Sequence, residues 1–342
     1  MQPIMIARVA HVLSFTDVLQ ASGTPLEHEL SKARLPTMLE TQPDAYVPVT
    51  PVLRFLQHME HKEGIEDIGF LASQQHSFDR LSSDFIEMSK YLPTLYARLQ
   101  LFAELAPLEN SNCRIHLIRE GNEYRVCNDL VGYPNLPGLR YSEWLQVAVL
   151  VDIVRKTVGS EWRPSDITFQ SQFSPCESAY EKFPNTRFLF GQQNTSIKVS
   201  ASLMSQRLCS EDRNNHDHNR QEHQLASRLS QDQFELDFPG SLKLALRSYF
   251  QEDYPDVKLA AEIAGTSVRT LQRRLGLFGL CYSTLVQQAR FEAAAKMLAD
   301  PNLKILDVTH AVGFSDPSHF ARSFRRIAGV SPSEFRRQKY DI

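Results

Sequence analysis

Apolar positions along the first 110 or so residues repeat with the period of an α-helix. Val9, Val12, Leu13, Val18 and Leu19 form one stripe. They predict a helix over 9–21, stopped by Gly23 and followed by a new start at Thr24-Pro25. A further helix is expected from Thr50 or Pro51 to His61. Thr50 suits an N-cap, Pro51 suits the first helical position, and Leu53, Leu56 and Met59 share a face. Ile65 to Ala72 predicts a short helix, and Pro93 opens another with Leu95, Leu99, Phe102 and Leu105 on one side.

The period then changes to two. Arg114–Glu120 and Glu123–Cys127 alternate polar and apolar, and Gly121-Asn122 between them tolerates the positive φ of a tight hairpin turn. An amphipathic helix is expected over 141–158, closed by Gly159. Further strands are expected at 167–173 and 195–200, with a short one at 187–190 and a helix at 177–183 between them. This mixture predicts an α+β domain over residues 1–209.

Residues 210–237 are polar and too poor in apolar side chains to build a core. They are expected to be a linker, and His216, His218 and His223 within it to be solvated rather than metal ligands. From 238 the chain is helical to near its end. Asp256 and Ser267 are expected N-caps, and a long helix runs from Tyr282 or Ser283 to Leu298, broken by Asp300-Pro301. The segments 305–312 and 317–327 are helical, and Ser331-Pro332-Ser333-Glu334 starts a last short helix.

Within this region one pattern occurs twice. Ala260, Ile263, Ala264 and Gly265 match Val308, Ala311, Val312 and Gly313 at an offset of 48. Past the turn, Leu271, Arg273 and Leu275 match Phe320, Arg322 and Phe324 at an offset of 49. A helix, a tight turn at glycine and a second helix with a basic face is the helix-turn-helix pattern. The expected domain over 238–342 is all-α, with two such units joined by the long helix. That joining helix, at about 1.5 Å per residue, would be roughly 25 Å long, enough to set two units in major grooves one turn apart, about 34 Å.

Charge supports an anion-binding role for this part. Residues 239–342 carry 15 Lys and Arg against 10 Asp and Glu, whereas the rest of the chain nets −8. The five cysteines are scattered, with no CxxC pair, which argues against a disulfide scaffold or structural zinc and fits a reducing cytoplasm. No apolar run approaches the roughly 18 residues of a membrane span. No GxSxG, HExxH or phosphate-cradling glycine loop occurs, so an enzyme is not expected, and no cofactor is implied.

In the first unit Arg269, Gln272 and Arg273 project from one helix face. Arg can bridge guanine O6 and N7, and Gln adenine N6 and N7, so this face carries base-reading groups. Arg274 points to a neighbouring sector and suits phosphate. The second unit offers Ser318, His319 and Arg322 for bases, with Arg325 and Arg326 for phosphate. In the first domain Tyr124, Tyr133, Arg140, Tyr141 and Trp144 are candidate ligand-binding residues by chemistry, although aromatics in such a domain usually form core.

The segments LAAEIAGTSVRTLQRRL and GFSDPSHFARSFRR followed by GVSPSEFRR resemble the AraC/XylS family of bacterial transcription regulators over about 100 residues. The resemblance implies two helix-turn-helix units in successive major grooves of double-stranded DNA. It implies base contacts at Arg269, Gln272 and Arg273, then at Pro317, Ser318, His319 and Arg322. Pro317 departs from the pattern, since it brings no donor. VPVTPVLRFLQHME, IEDIGFLA and YEKFPNTRFLFGQQNTSIKVSASLMSQRL are similar to the arabinose-binding-like effector domains of one branch. That similarity implies a small-molecule effector and a homodimer, with RNA polymerase as a further partner. The alternative is a first domain that only dimerises or meets a protein, with no small-molecule ligand.

Overall fold

In the computed structural model, which describes residues 2–131, 138–206, 236–252 and 255–340, several helices begin where a short polar side chain takes an orphaned backbone N–H, as at Asp67, Thr94 and Asp237. The first part of the chain runs β1 (Ile6–Arg8), α1 (Val9–Ala21), α2 (Leu26–Lys32), β2 (Tyr46–Pro48), α3 (Val49–Glu63), α4 (Ile68–Gln75), α5 (Ser83–Ser89) and α6 (Leu95–Glu109). It continues β3 (Cys113–Glu120), β4 (Glu123–Leu130), α7 (Leu139–Val158), β5 (Asp166–Thr168), α8 (Glu177–Lys182), β6 (Arg187–Leu189), β7 (Thr195–Ser200) and α9 (Ala201–Met204). Past residue 236 come α10 (Phe238–Arg247), α11 (Val257–Ile263), α12 (Val268–Gly276), α13 (Tyr282–Met297), α14 (Ile305–Ala311), α15 (Pro317–Ala328) and α16 (Pro332–Tyr340).

The chain divides into two compact units. One comprises residues 10–25 and 52–235, the other 1–9, 26–51 and 236–342. The expected linker at 210–237 falls almost wholly outside the described residues.

The first unit is α+β, as its alternating patterns imply. Its five-stranded sheet has the order β3-β4-β7-β5-β6. β3 and β4 pair antiparallel from Cys113 opposite Leu130 to Glu120 opposite Glu123, which puts Gly121 and Asn122 at the turn, and β5 runs parallel to β6. The core gathers Phe85, Leu95 and Leu99, Val126 and Ile197 of the sheet, and Trp144, Leu150 and Val154 of α7.

Two boundaries differ from the sequence expectation for identifiable reasons. The expected strand over 167–173 stops at Thr168. Beyond it the N–H groups of Gln170 and Ser171 donate to the buried Glu143 carboxylate (2.6 and 3.3 Å), so a side chain replaces the neighbouring strand. The helix expected from Ile65 begins instead at Ile68, because Asp67 sits in the left-handed region (φ 52) and caps it through the Phe70 N–H.

In the other unit, β1 and β2 pair antiparallel, with Ile6 opposite Pro48. The Ile4 N–H donates to Ser241 Oγ at 2.8 Å, and Ile4 and Ile6 share a core with Phe238, Leu242 and Leu246 of α10. Residues 1–9 and 26–51, expected in the first domain, therefore belong to the same compact unit as residues 236–342. Strands of three residues show no periodicity, so neither β1 nor β2 was expected. Among the described residues no helix is long and apolar enough to cross a membrane.

Candidate nucleic-acid interface

The first helix-turn-helix is set by its caps. Asp256 accepts the Leu259 N–H at 2.7 Å at the start of α11, and Ser267 accepts the Thr270 N–H at 3.3 Å at the start of α12. Gly265 makes the turn between them at φ 58. On α12, Leu271 and Leu275 are fully buried one turn apart. That fixes the opposite face outward, and Arg269, Gln272 and Arg273 on it are exposed.

The second unit repeats the device with a stronger cap. Both oxygens of Asp316 accept backbone N–H groups, from Ser318 and His319, at 3.0 Å each. These two bonds hold the Asp316 carboxyl below the usual range. Pro317 follows in the first turn, where its missing N–H costs nothing. Phe320 and Phe324 anchor α15, leaving Pro317, Ser318, His319, Arg322, Arg325 and Arg326 exposed. The His319 ring also meets Phe314 edge-on, with centroids 5.4 Å apart.

α13 joins the two units and belongs to both cores. Leu285, Val286 and Ala289 pack in the first core, with Leu271 and Leu275. Ala294, just beyond, packs in the second, with Phe320 and Phe324. Arg290 lies between these sets. It donates to the Gly313 carbonyl at 3.0 Å and covers the Phe250 and Phe314 rings. Neither Arg290 nor this double membership was anticipated from sequence. The one available signal was an arginine on the half-buried side of a long helix.

The exposed cations of α12 and α15 make no ion pair, as Lys258, Lys296 and Lys304 also do not among the described residues. Arg269, Arg273, Arg322, Arg325 and Arg326 form no ion pair within the described residues, whereas Lys243 and Arg247 are both held by Glu292. Arg274 is placed differently from its neighbours. It is half-buried, with its guanidinium 5.5 Å from the centre of the Phe238 ring. It packs α12 against α10, which the i, i+1 spacing to Arg273 did not reveal.

Of the candidate ligand residues of the other unit, Arg140 and Tyr141 meet at Glu60, and Tyr124 lies elsewhere. Trp144 and Tyr141 are 1% exposed and belong to the interior. Trp144 Nε1 donates to Asp67 at 3.2 Å, and the Tyr141 hydroxyl donates to Glu60 at 2.6 Å. Burial, then that hydrogen bond, raises the Tyr141 phenol above its ordinary range. Tyr124 packs edge-on to Tyr96 on α6. Tyr133 lies outside the described residues. Among the described candidates Arg140 alone lines an open cleft, where it pairs with Glu60 beside Arg54, His58, His61 and Asp67. Those four were not singled out, although Arg54, His58 and His61 follow helical spacing.

Two family models match the chain. Residues 260–338 match the model of a helix-turn-helix domain family. Residues 23–208 match that of the arabinose-binding domain of AraC transcription regulators. The ornithine utilization regulator of Pseudomonas aeruginosa is 34% identical over 84 residues, 25% of each chain, so the match spans a quarter of that relative. The HTH-type transcriptional regulator VirS of Mycobacterium tuberculosis is 22% identical over 97% of this chain and 96% of its own. The crystal structure of the transcriptional regulator CdpR from Pseudomonas aeruginosa aligns over 92% of this chain and 96% of that one, at 18% identity and a TM-score of 0.41.

Proposed function

This chain belongs to the AraC family of transcription regulators, and we propose that it reads two successive major grooves of double-stranded DNA with α12 and α15. Arg269, Gln272 and Arg273 contact bases in one groove, and Ser318, His319 and Arg322 in the next. Arg325 and Arg326 meet phosphate. Arg274, engaged with Phe238, serves chiefly to seat α12.

The observation that carries this reading is the sharing of α13 between the two cores. A helix of 16 residues, about 24 Å long, with one half embedded in each unit, holds a fixed register that a flexible connection would lose. The two faces are unequal. The first presents bidentate donors, and the second begins with a proline and supplies affinity more than discrimination.

The arabinose-binding-like domain senses a small-molecule effector and pairs two copies of the chain, which acts at promoters in the bacterial cytoplasm, with RNA polymerase as a further partner. A second reading, in which that domain only dimerises or meets a protein, is favoured by one observation: Tyr141 and Trp144 fill the interior rather than line a cavity. Native mass spectrometry of protein purified from its host separates the two by the presence or absence of a retained small molecule.

The DNA reading is tested by selecting binding sites from a random pool with the full chain, then mapping contacts by methylation interference. Two interference patches about 34 Å apart, one helical turn, are expected. A single patch, or no enrichment over random DNA, would sink it.

A further inference from the structure

We propose that the open cleft beside α3 binds a small zwitterion, a molecule carrying both a carboxylate and a cationic nitrogen as a free amino acid does. This deepens the effector-sensing reading and rests on it.

The cleft has a volume of about 780 Å³, within the range of small-molecule sites. Most of its lining residues carry polar side chains. Ile65 is the large apolar side chain in it, and no Phe, Tyr or Trp lines it, so an aromatic or acyl ligand would bury little surface there. The apolar face of a sugar would likewise find no ring to stack on.

The basic side chains of the cleft lie mostly on α3, which also places Glu60 in the same lining. Arg54, His58 and His61 occur at i, i+4 and i+7 on α3 and form one exposed wall. Arg140, in the first turn of α7, adds a half-exposed guanidinium that is partly committed to Glu60. Glu66 and Asp67, in the loop before α4, supply the other acids.

Arg140 and Glu60 satisfy each other, but Arg54 and Glu66 are left unpaired among the described residues. Among the described residues, the side chains of Arg54, His58, His61 and Glu66 make no hydrogen bond or ion pair. Some surface cations of this unit are matched, Arg125 by Glu120 and Arg187 by Asp166, whereas Arg119 and Lys182 make no ion pair among the described residues. A ligand bearing both charges would complete Arg54 and Glu66 together. A simple anion or a simple cation would complete one and meet the other as a like charge.

Asp67 gives the acid side a fixed geometry. Its oxygens take the Phe70 N–H and the Trp144 indole N–H, both at 3.2 Å. Burial raises its carboxyl above the usual range, so a cation brought alongside would relieve it. Through Trp144 the same carboxyl is tied to the aromatic core, where that ring meets Phe70 and Phe169.

Isothermal titration of the full chain with each of the twenty common amino acids, and with L-arabinose as a neutral polar control, tests the inference. At least one amino acid should bind with millimolar or tighter affinity, and arabinose should not. Arg54→Ala and Glu66→Gln alter exposed side chains and should leave the melting temperature unchanged. Each should weaken binding by about tenfold or more. Binding by no amino acid, or binding indifferent to both substitutions, overturns the inference. So does arabinose binding that is lost in the same variants. Operator affinity separates this from the broader reading. An amino acid that binds through Arg54 and Glu66 yet leaves operator affinity unchanged keeps the site and removes the gating. A host metabolite that gates both variants as it gates the natural protein keeps the gating and removes the site.

Discussion

The Arg290 guanidinium donates to the carbonyl oxygen of Gly313 at 3.0 Å, tying the middle of α13 to the turn of the second helix-turn-helix. Gly313 adopts φ 77, and a Cβ there would collide with the Phe250 carbonyl oxygen and crowd Arg290. The equivalent turn residue of the first unit, Gly265, has φ 58 but open space around it. Gly265→Ala should therefore cost only the left-handed strain, about 1–2 kcal/mol. Gly313→Ala should cost more than that and weaken protection of the second groove selectively. Denaturant melts and footprints of the two variants check the difference. Equal costs would show that the Phe250 contact is not what restricts Gly313.

Arg273→Ala should cost about 1–3 kcal/mol on the selected site and relax preference at one base pair. Arg326→Ala should instead weaken binding to every sequence alike and reduce the salt slope by about one. Fluorescence anisotropy over a salt series on cognate and scrambled duplexes distinguishes the two behaviours.

Stability of the unit formed by residues 10–25 and 52–235 should fall as pH drops below about 6.5, the unfolded value for histidine. His76 is buried, bonded to Ser14 at 2.9 Å and to His11 at 3.2 Å, and it also faces Arg80 and Glu109. Burial first, then His11 and Arg80, lowers its pKa well below the ordinary value. The unfolded chain therefore takes up the proton before the folded one. The contribution is complete above the unfolded pKa and is lost progressively as pH falls towards the folded one. Melting temperatures between pH 8 and 5 should show this slope, and His76→Gln should flatten it.

Ile6→Ala should destabilise the unit that carries the helix-turn-helix helices by about 2–5 kcal/mol, the usual cost of emptying a fully buried isoleucine site. A fragment of residues 236–342, lacking Ile4 and Ile6, should melt lower than the same unit in the full chain. A full chain whose helical unit melts unchanged after Ile6→Ala would refute the idea that residues 1–9 help to hold its core.

Cys281 should react with iodoacetamide at neutral pH well before Cys113, Cys127 and Cys176. It is exposed at the N-cap of α13, where the Ser283 and Thr284 hydroxyls bring its thiol down to about 7. Burial pushes Cys113 up to about 12 and Cys127 up to about 11. Peptide mapping after brief labelling gives the order directly.

The duplicated unit was legible in the chain because everything that defines it is local. A cap such as Asp256 or Ser267 acts within three residues, a turn glycine acts on its own φ, and pairs such as Leu271 with Leu275 or Phe320 with Phe324 sit one helical turn apart. The hairpin at Gly121-Asn122 was legible for the same reason. The outward face of α12 followed from its inward one.

Contacts between distant segments were decided by the tertiary structure alone. The same face that exposes Arg273 says nothing about Arg274, whose position depends on Phe238 arriving beside it. Ile4 meets Ser241 across 237 residues, and no window of sequence records that pairing. Tyr141 and Trp144 carry groups fit for a ligand, yet their rings are buried and Glu60 and Asp67 take those groups. The cleft that remains is assembled from α3, the loop before α4 and the start of α7. Its residue types are ordinary in each segment, and only packing brings those segments to one lining.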